Sequence, residues 1–149
     1  MIADAGGDIA SLELSSTRSC VRRPCAGADV LFHTNAFFTE ELRAVEISED
    51  ARYTDRAVKA MRGRSVHESS HVRDRRFTQL LAGSEPFDAE RLGRIMADHE
   101  TDGKSGDMGI CTHSDYWNTT ATLQLFPASR RIRVSFDSAC RAKYEDFVL

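Results

Sequence analysis

The clearest indication of the fold is the segment TTATLQLFPASRRIRVSF, residues 119–136. Residues 119–126 are rich in β-branched and apolar side chains, Pro127 begins a turn, and residues 131–136 alternate strictly between polar and apolar side chains. A period of two residues on both sides of a turn predicts an antiparallel β-hairpin. A last short strand is expected over residues 144–149.

Two helices are expected before this hairpin. Ser69 or Ser70 is a plausible N-cap for a helix that runs to residue 81, and Asp88 can cap a second helix over residues 89–99. Short polar side chains are favoured at these positions because they accept hydrogen bonds from the first free backbone N–H groups of a helix.

The first third of the chain reads as short strands. Residues 2–5 and 9–14 flank the turn residues Gly6, Gly7 and Asp8, which predicts a second hairpin. Residues 28–35 suit a buried strand that ends in polar residues, and a short helix is expected around residues 50–61 within a charged, irregular segment. Strands, then helices, then strands predict an α+β fold with antiparallel pairing.

The composition and net charge of the chain argue against several kinds of binding partner. The 149 residues carry a formal net charge of -3, so no uniform positive field would draw the chain onto nucleic acid or an anionic membrane. No segment approaches the roughly 18 apolar residues of a membrane-spanning helix. The cysteines at 20, 25, 111 and 140 fit neither a dense disulfide framework nor paired zinc spacing, so free thiols in a reducing cytoplasm and no cofactor are expected.

A zinc-peptidase motif is present at His67-Glu68-Ser69-Ser70-His71. Histidines four residues apart on a helix share a face and can bind zinc, and the intervening glutamate can activate water. The charged residues that follow and the absence of a familiar third ligand favour a solvated helix start instead. A metal site is therefore not expected, and zinc held by His67 and His71 stays an alternative.

Two further groups of residues can carry chemistry. Asn35, in the run His-Thr-Asn at the end of an expected strand, could donate its amide N–H to an oxyanion, although turn formation is the commoner role for such a run. Cys111 lies two residues before His113, so a thiol and a base could meet, although a packed thiol is the commoner outcome. The other cysteines show no convincing partner.

Several segments, taken in order, resemble the acyl-coenzyme A:6-aminopenicillanic acid acyltransferase (isopenicillin-N acyltransferase) family of N-terminal-nucleophile hydrolases. The resemblance covers about nine-tenths of this chain, but less than half of a full-length member. The segments that carry it are residues 11–15, 33–35, 70–81, 95–99, 109–113, 120–123, 131–134 and 144–149.

The resemblance implies an αββα sandwich, with residues 1–149 as a single partial domain from its C-terminal half. Family members are cut at a Gly-Cys bond to free a cysteine nucleophile, but here the cysteines follow Ser19, Pro24, Ile110 and Ala139. The implied function is that of a fragment of a cysteine-nucleophile amide hydrolase or acyltransferase acting on linear amide C–N bonds, inactive alone. Its implied partners are a small amide or acyl-coenzyme A substrate and a nucleophile-bearing chain.

The resemblance also assigns roles to individual residues. It gives Asn35 the oxyanion-hole role, although Ala36 replaces the family's following histidine. Asn118 and Thr119 fall where the founding acyltransferase has a Ser-Arg pair, which implies substrate binding, and Cys111 falls on a structural strand. Two alternatives remain: a non-catalytic binding or assembly module, and the small zinc peptidase.

Overall fold

The computed structural model describes residues 2–3, 9–14, 18–22, 30–82, 87–101 and 106–149. Contacts within the chain divide it into two compact units, Met1–Asp74 and Arg75–Leu149. The single partial domain expected over residues 1–149 stays a prediction, because this division shows where contacts concentrate and not whether the units fold independently.

The N-terminal unit contains a three-stranded antiparallel sheet with the order β1-β2-β3. Its strands are β1 (Ile2–Ala3), β2 (Ile9–Leu14) and β3 (Ser19–Arg22). Ile2 pairs with Ala10, so the expected hairpin is confirmed, and Leu12 pairs with Val21 in a third strand that was not predicted. The turn residues expected at positions 6–8 lie outside the described residues.

The buried strand expected over residues 28–35 is wrong for residues 30–35, which form no strand. Side chains hold this segment in place of ladder hydrogen bonds. The ring of Phe32 meets that of Phe38 edge to face at 5.6 Å, and the Thr34 hydroxyl donates to the Asp74 carboxylate at 2.6 Å. This apolar run is therefore held by side-chain contacts and is half-buried without joining a sheet.

The helix expected around residues 50–61 is also wrong. Only a 3-10 turn, Lys59–Met61, forms there, because residues 51–53 fold back against residues 63–66. The Tyr53 N–H donates to the Arg64 carbonyl at 3.0 Å, and Gly63, with a φ of 73°, donates to the Tyr53 carbonyl at 2.9 Å. A short helix, α1 (Glu40–Arg43), precedes this loop and buries Leu42 completely.

Both of the expected longer helices are confirmed, as α2 (Glu68–Leu81) and α3 (Ala89–Met96). The cap expected at Ser69 or Ser70 is wrong, because α2 already begins at Glu68. The cap at Asp88 is confirmed: its carboxylate accepts a hydrogen bond from the Arg91 N–H at 2.8 Å. The second helix ends at Met96, three residues earlier than predicted.

The C-terminal unit contains the sheet predicted from residues 119–149, with the order β4-β5-β6. Its antiparallel strands are β4 (Thr122–Phe126), β5 (Arg131–Ser135) and β6 (Glu145–Val148). Leu125 pairs with Ile132, which pairs with Phe147. The buried Gln124 side chain donates to the Ala89 carbonyl at 3.0 Å and so joins β4 to the start of α3.

The chain is an α+β protein whose described residues form three α-helices and two three-stranded antiparallel sheets. In the part of the chain that the structure describes, no helix combines the length and apolar character needed to cross a membrane.

Candidate metal centre

Four side chains that commonly bind transition metals lie together in the C-terminal unit: His99, Cys111, His113 and Cys140. Each offers one ligand atom, and the four atoms lie within 4.8 Å of one another. Zinc with two sulfur and two nitrogen ligands, at about 2.3 and 2.0 Å, would space these atoms about 3.3–3.8 Å apart. The Nε2 atom of His113 lies 3.5 Å from Cys111 Sγ and 3.1 Å from Cys140 Sγ. The first of these distances lies within that range and the second is about 0.2 Å below it, so a small adjustment of the side chains would bring the four atoms to tetrahedral spacing.

His99 is positioned by the two acidic residues on either side of it. Arg76 of α2 binds both oxygens of the Asp98 carboxylate, at 2.9 and 2.7 Å, and reaches Glu100 at 2.8 Å. The hydrogen bonds from Arg76 lower the pKa of Asp98, against the opposing effect of burial. This planar, two-pronged contact keeps Asp98 ionised and fixes the segment that carries His99.

Cys111 is held against the same segment by its backbone. Its N–H donates to the Asp98 carbonyl at 2.9 Å. Gly109 packs against the same segment, because a Cβ atom at that position would be in van der Waals contact with His99, 3.4 Å from its Cα atom and 3.5 Å from its carbonyl oxygen. Cys111 is completely buried, so its sulfur faces the cluster and not solvent.

His113 stands at the base of a tight loop, where it forms an antiparallel bridge with Asn118. The Thr119 hydroxyl accepts a hydrogen bond from the Thr112 N–H at 3.0 Å, and the Asn118 amide donates to the Ser114 carbonyl at 3.1 Å. Asn118 and Thr119, expected to bind substrate, thus close the loop that carries His113. Their substrate-binding role stays a prediction.

Cys140 lies in a 3-10 turn, Ala139–Arg141, that follows the fully buried Ser138. The Asp137 carboxylate accepts the Ser138 N–H at 2.7 Å and so fixes the entry to this turn. Backbone N–H groups of Cys140 and Ala139 are directed at the Cys111 sulfur. The turn therefore presents one thiol of its own and stabilises negative charge on another.

The electrostatics of the two thiols differ from those of free cysteine. Burial raises the pKa of Cys111, and the neighbouring Cys140 thiol acts in the same direction, while the two backbone N–H groups oppose the rise. A divalent cation would reverse this balance, because a coordinating thiol is deprotonated by its metal. The pocket thus favours thiolates when a cation accompanies them.

The types and number of the ligands indicate which metal the site would bind and whether the site is structural or catalytic. Two thiolates and two imidazoles suit zinc, and four protein ligands complete a tetrahedral sphere without a position for water. Such closed sites stabilise structure, whereas catalytic zinc sites keep one position open.

The His67-Glu68-x-x-His71 motif does not assemble a comparable group. His67 precedes α2, is buried, and lies with its Nε2 atom 2.8 Å from the Ile47 carbonyl, so this nitrogen donates a hydrogen bond. His71 lies 3.8 Å from the Glu49 carboxylate, and the two imidazole rings stack at 5.8 Å. Among the described residues, the group of potential metal ligands includes neither histidine.

Asn35 lies exposed beside the first half of α2. Its side-chain oxygen accepts a hydrogen bond from Arg73 at 3.3 Å, and Arg73 also donates to the Ser69 carbonyl at 3.2 Å. Burial lowers the pKa of Arg73, while Asp74 opposes this shift. The contact with Arg73 occupies the oxygen of Asn35 and leaves its amide nitrogen as a donor.

Two members of the metal cluster were missed from the sequence. Cys140 was expected to lack a partner, which is wrong, because its sulfur lies 3.1 Å from His113 Nε2. His99 was expected at the end of the helix predicted over residues 89–99, which in fact ends at Met96. Residues 109–111 form a bend in place of the expected strand. The sequence paired only Cys111 with His113, as a possible thiol and base, and their spacing was the one signal that could have indicated metal ligands, because His99 and Cys140 lie farther away in sequence.

Comparison with known proteins returned no match: no family model, no curated protein and no solved structure matched the chain.

Proposed function

We propose that the chain is a metal-binding protein whose C-terminal unit is organised by a structural zinc ion. The ion is held by His99, Cys111, His113 and Cys140. The observation that carries the proposal is the convergence of their four ligand atoms within 4.8 Å. Histidine and cysteine are uncommon in this chain, so four of them from three segments in one small volume indicate a shared metal ion.

A metal ion at this position would stabilise the C-terminal unit. The ligands come from the segment after α3, from the bend and loop around residues 109–118, and from the turn after β5, so one ion would tie three segments together. The polar side chains buried in this unit include Arg91, Thr101, Asp107, Thr122, Gln124, Ser135 and Ser138. Leu123, Leu125 and Phe147 are exposed. A unit of this size with a mixed core gains much of its stability from a bound metal.

Zinc content and thermal stability test this proposal. The full chain, treated with a chelator and then loaded, should take up one zinc per molecule, and its melting temperature should rise. At a free zinc concentration of about 1,000 times Kd, the gain in free energy of unfolding is about 4 kcal/mol. A chain that takes up no zinc, or that melts at the same temperature with and without zinc, would contradict the proposal.

A second proposal keeps the resemblance to the acyltransferase family. The chain would be the C-terminal portion of an αββα amide hydrolase or acyltransferase acting on linear amide bonds, with its nucleophile on a partner chain and with Asn35 in the oxyanion hole. The Arg73 contact supports it, because it occupies the Asn35 side-chain oxygen and leaves the amide nitrogen as a donor. The oxyanion role depends on such preorganised donors.

The surface of the C-terminal sheet also favours this second proposal. Leu123, Leu125 and Phe147 lie on one face through the pairings of β4, β5 and β6, and they are 59%, 65% and 46% exposed. In a sandwich, the inner face of such a sheet is covered by a second sheet. The partner chain would supply that layer together with the nucleophile.

Expression of the chain alone separates the remaining alternatives. The fragment should show no amide hydrolysis or acyl transfer, and its uncovered apolar face should promote aggregation. Turnover that is unchanged in Asn35→Ala would contradict it. A stable monomer without turnover would favour the non-catalytic binding or assembly module. The zinc peptidase is favoured least, because His67 Nε2 is engaged by the Ile47 carbonyl.

A further inference from the structure

We infer that the metal centre is a thiol switch, in which a peroxide joins Cys140 to Cys111 as a disulfide and releases the metal. The inference rests on the proposed zinc site and adds its regulation. It is carried by the pairing of one exposed and one fully buried cysteine within the same cluster, whose ligand atoms lie within 4.8 Å of one another.

The unequal exposure of the two sulfurs sets the order of reaction. Cys140 is exposed in its surface turn, so a small oxidant in solution reaches this thiol first. Cys111 has no exposed surface and is reached from within the cluster. Susceptibility to oxidation follows thiolate character and exposure, and redox-sensing cysteines commonly lie next to a second cysteine that resolves the first product.

Hydrogen peroxide oxidises the two thiolates in two steps. The Cys140 thiolate attacks hydrogen peroxide, so an S–O bond forms, the O–O bond breaks and hydroxide leaves. The Cys111 thiolate then attacks the sulfur of the resulting sulfenic acid, so an S–S bond forms, the S–O bond breaks and a second hydroxide leaves. Two electrons pass from the thiolates to the peroxide. The metal loses both anionic ligands and is left with the imidazoles of His99 and His113.

The test uses the full chain, with its zinc content measured before oxidation. Hydrogen peroxide is added, released zinc is followed with a chromogenic chelator, and thiols are alkylated for peptide mass spectrometry. We expect zinc release to keep pace with a disulfide between Cys111 and Cys140, and a thiol reductant to restore zinc binding. Pairs that involve Cys20 or Cys25 are distinguished by their peptides.

Cys140→His is the matched control, because it keeps four ligands while removing the exposed thiol. Zinc release from this variant should be at least ~10-fold slower at the same peroxide concentration. Cys140→Asp provides a second four-ligand variant if the first does not load with zinc. A zinc-loaded chain that keeps its metal, or loses it without the Cys111–Cys140 disulfide, overturns this inference alone. A chain that binds no zinc overturns the proposed function as well.

Discussion

The start of α2 and the cluster in the C-terminal unit both contain histidines, but the first has a metal-binding motif in its sequence and the second has metal-binding geometry in the structure. His67 and His71 belong to a contiguous motif that is read at once from the sequence, whereas His99, Cys111, His113 and Cys140 form no recognisable motif. The motif engages its histidines with Ile47 and Glu49, while the scattered residues converge. The motif supplies only two histidines, and a closed zinc site needs four protein ligands.

Substitution of a buried ligand in the cluster should have the largest effect on zinc binding. Cys111→Ser replaces a buried sulfur ligand with a weakly coordinating hydroxyl, so the zinc affinity should fall by more than the roughly 10–100-fold that loss of an outer partner costs. The rise in melting temperature on zinc loading should disappear with it. Cys20→Ser is the control, because Cys20 does not belong to the cluster. Equal zinc affinity in the two variants would argue against the site.

The next prediction compares the loss of one histidine from each region. His113→Ala should abolish stoichiometric zinc uptake, whereas His67→Ala should keep it. His67→Ala should lower the free energy of unfolding by about 1 kcal/mol, because the Ile47 carbonyl loses its donor. Zinc titration and denaturant unfolding measure the two quantities separately. Loss of zinc uptake in His67→Ala but not in His113→Ala would indicate that the metal binds at the α2 motif and would favour the zinc peptidase.

A smaller effect is expected at Arg76, which contacts both neighbours of His99. Arg76→Ala removes the hydrogen bonds to Asp98 and the contact with Glu100, so zinc affinity should fall about 10-fold while the stoichiometry stays at one. Arg56, an exposed arginine of the N-terminal unit, provides the control variant Arg56→Ala. Indistinguishable affinities would show that the Asp98 contact does not position His99.

The smallest expected effect concerns the loop that carries His113. Thr119→Val keeps the side-chain shape but removes the acceptor for the Thr112 N–H, so the free energy of unfolding should fall by about 1 kcal/mol and zinc affinity by less than ~10-fold. Thr120→Val, at an exposed neighbour, should change neither quantity. Larger effects for Thr120→Val would indicate that the loop is held differently.

Local patterns predicted the elements whose causes are local. The alternation in residues 131–136 and the turn before it predicted the β4–β5 hairpin, and Asp88 predicted the start of α3. Both signals act over a few residues, through pairing across a turn and through a single cap. These elements could therefore be predicted without knowledge of the rest of the chain.

Elements that depend on distant partners could not be predicted in this way. Residues 30–35 resemble a strand, but Thr34 is held by Asp74, which lies 40 residues later. Cys140 meets His113 across 27 residues and lacks any nearby cysteine or histidine. Because tertiary contacts decide these positions, spacing alone suggested Cys111 and His113 as a thiol and a base, not as metal ligands, and missed His99 and Cys140.

X-ray absorption at the zinc edge of the loaded chain identifies the ligand atoms of the metal. We expect a four-coordinate shell with two sulfur atoms at about 2.3 Å and two imidazole nitrogens at about 2.0–2.1 Å, and the loss of one sulfur or of the metal in Cys111→Ser. A shell of nitrogen and oxygen atoms without sulfur, as zinc on His67 and His71 would give, would contradict it.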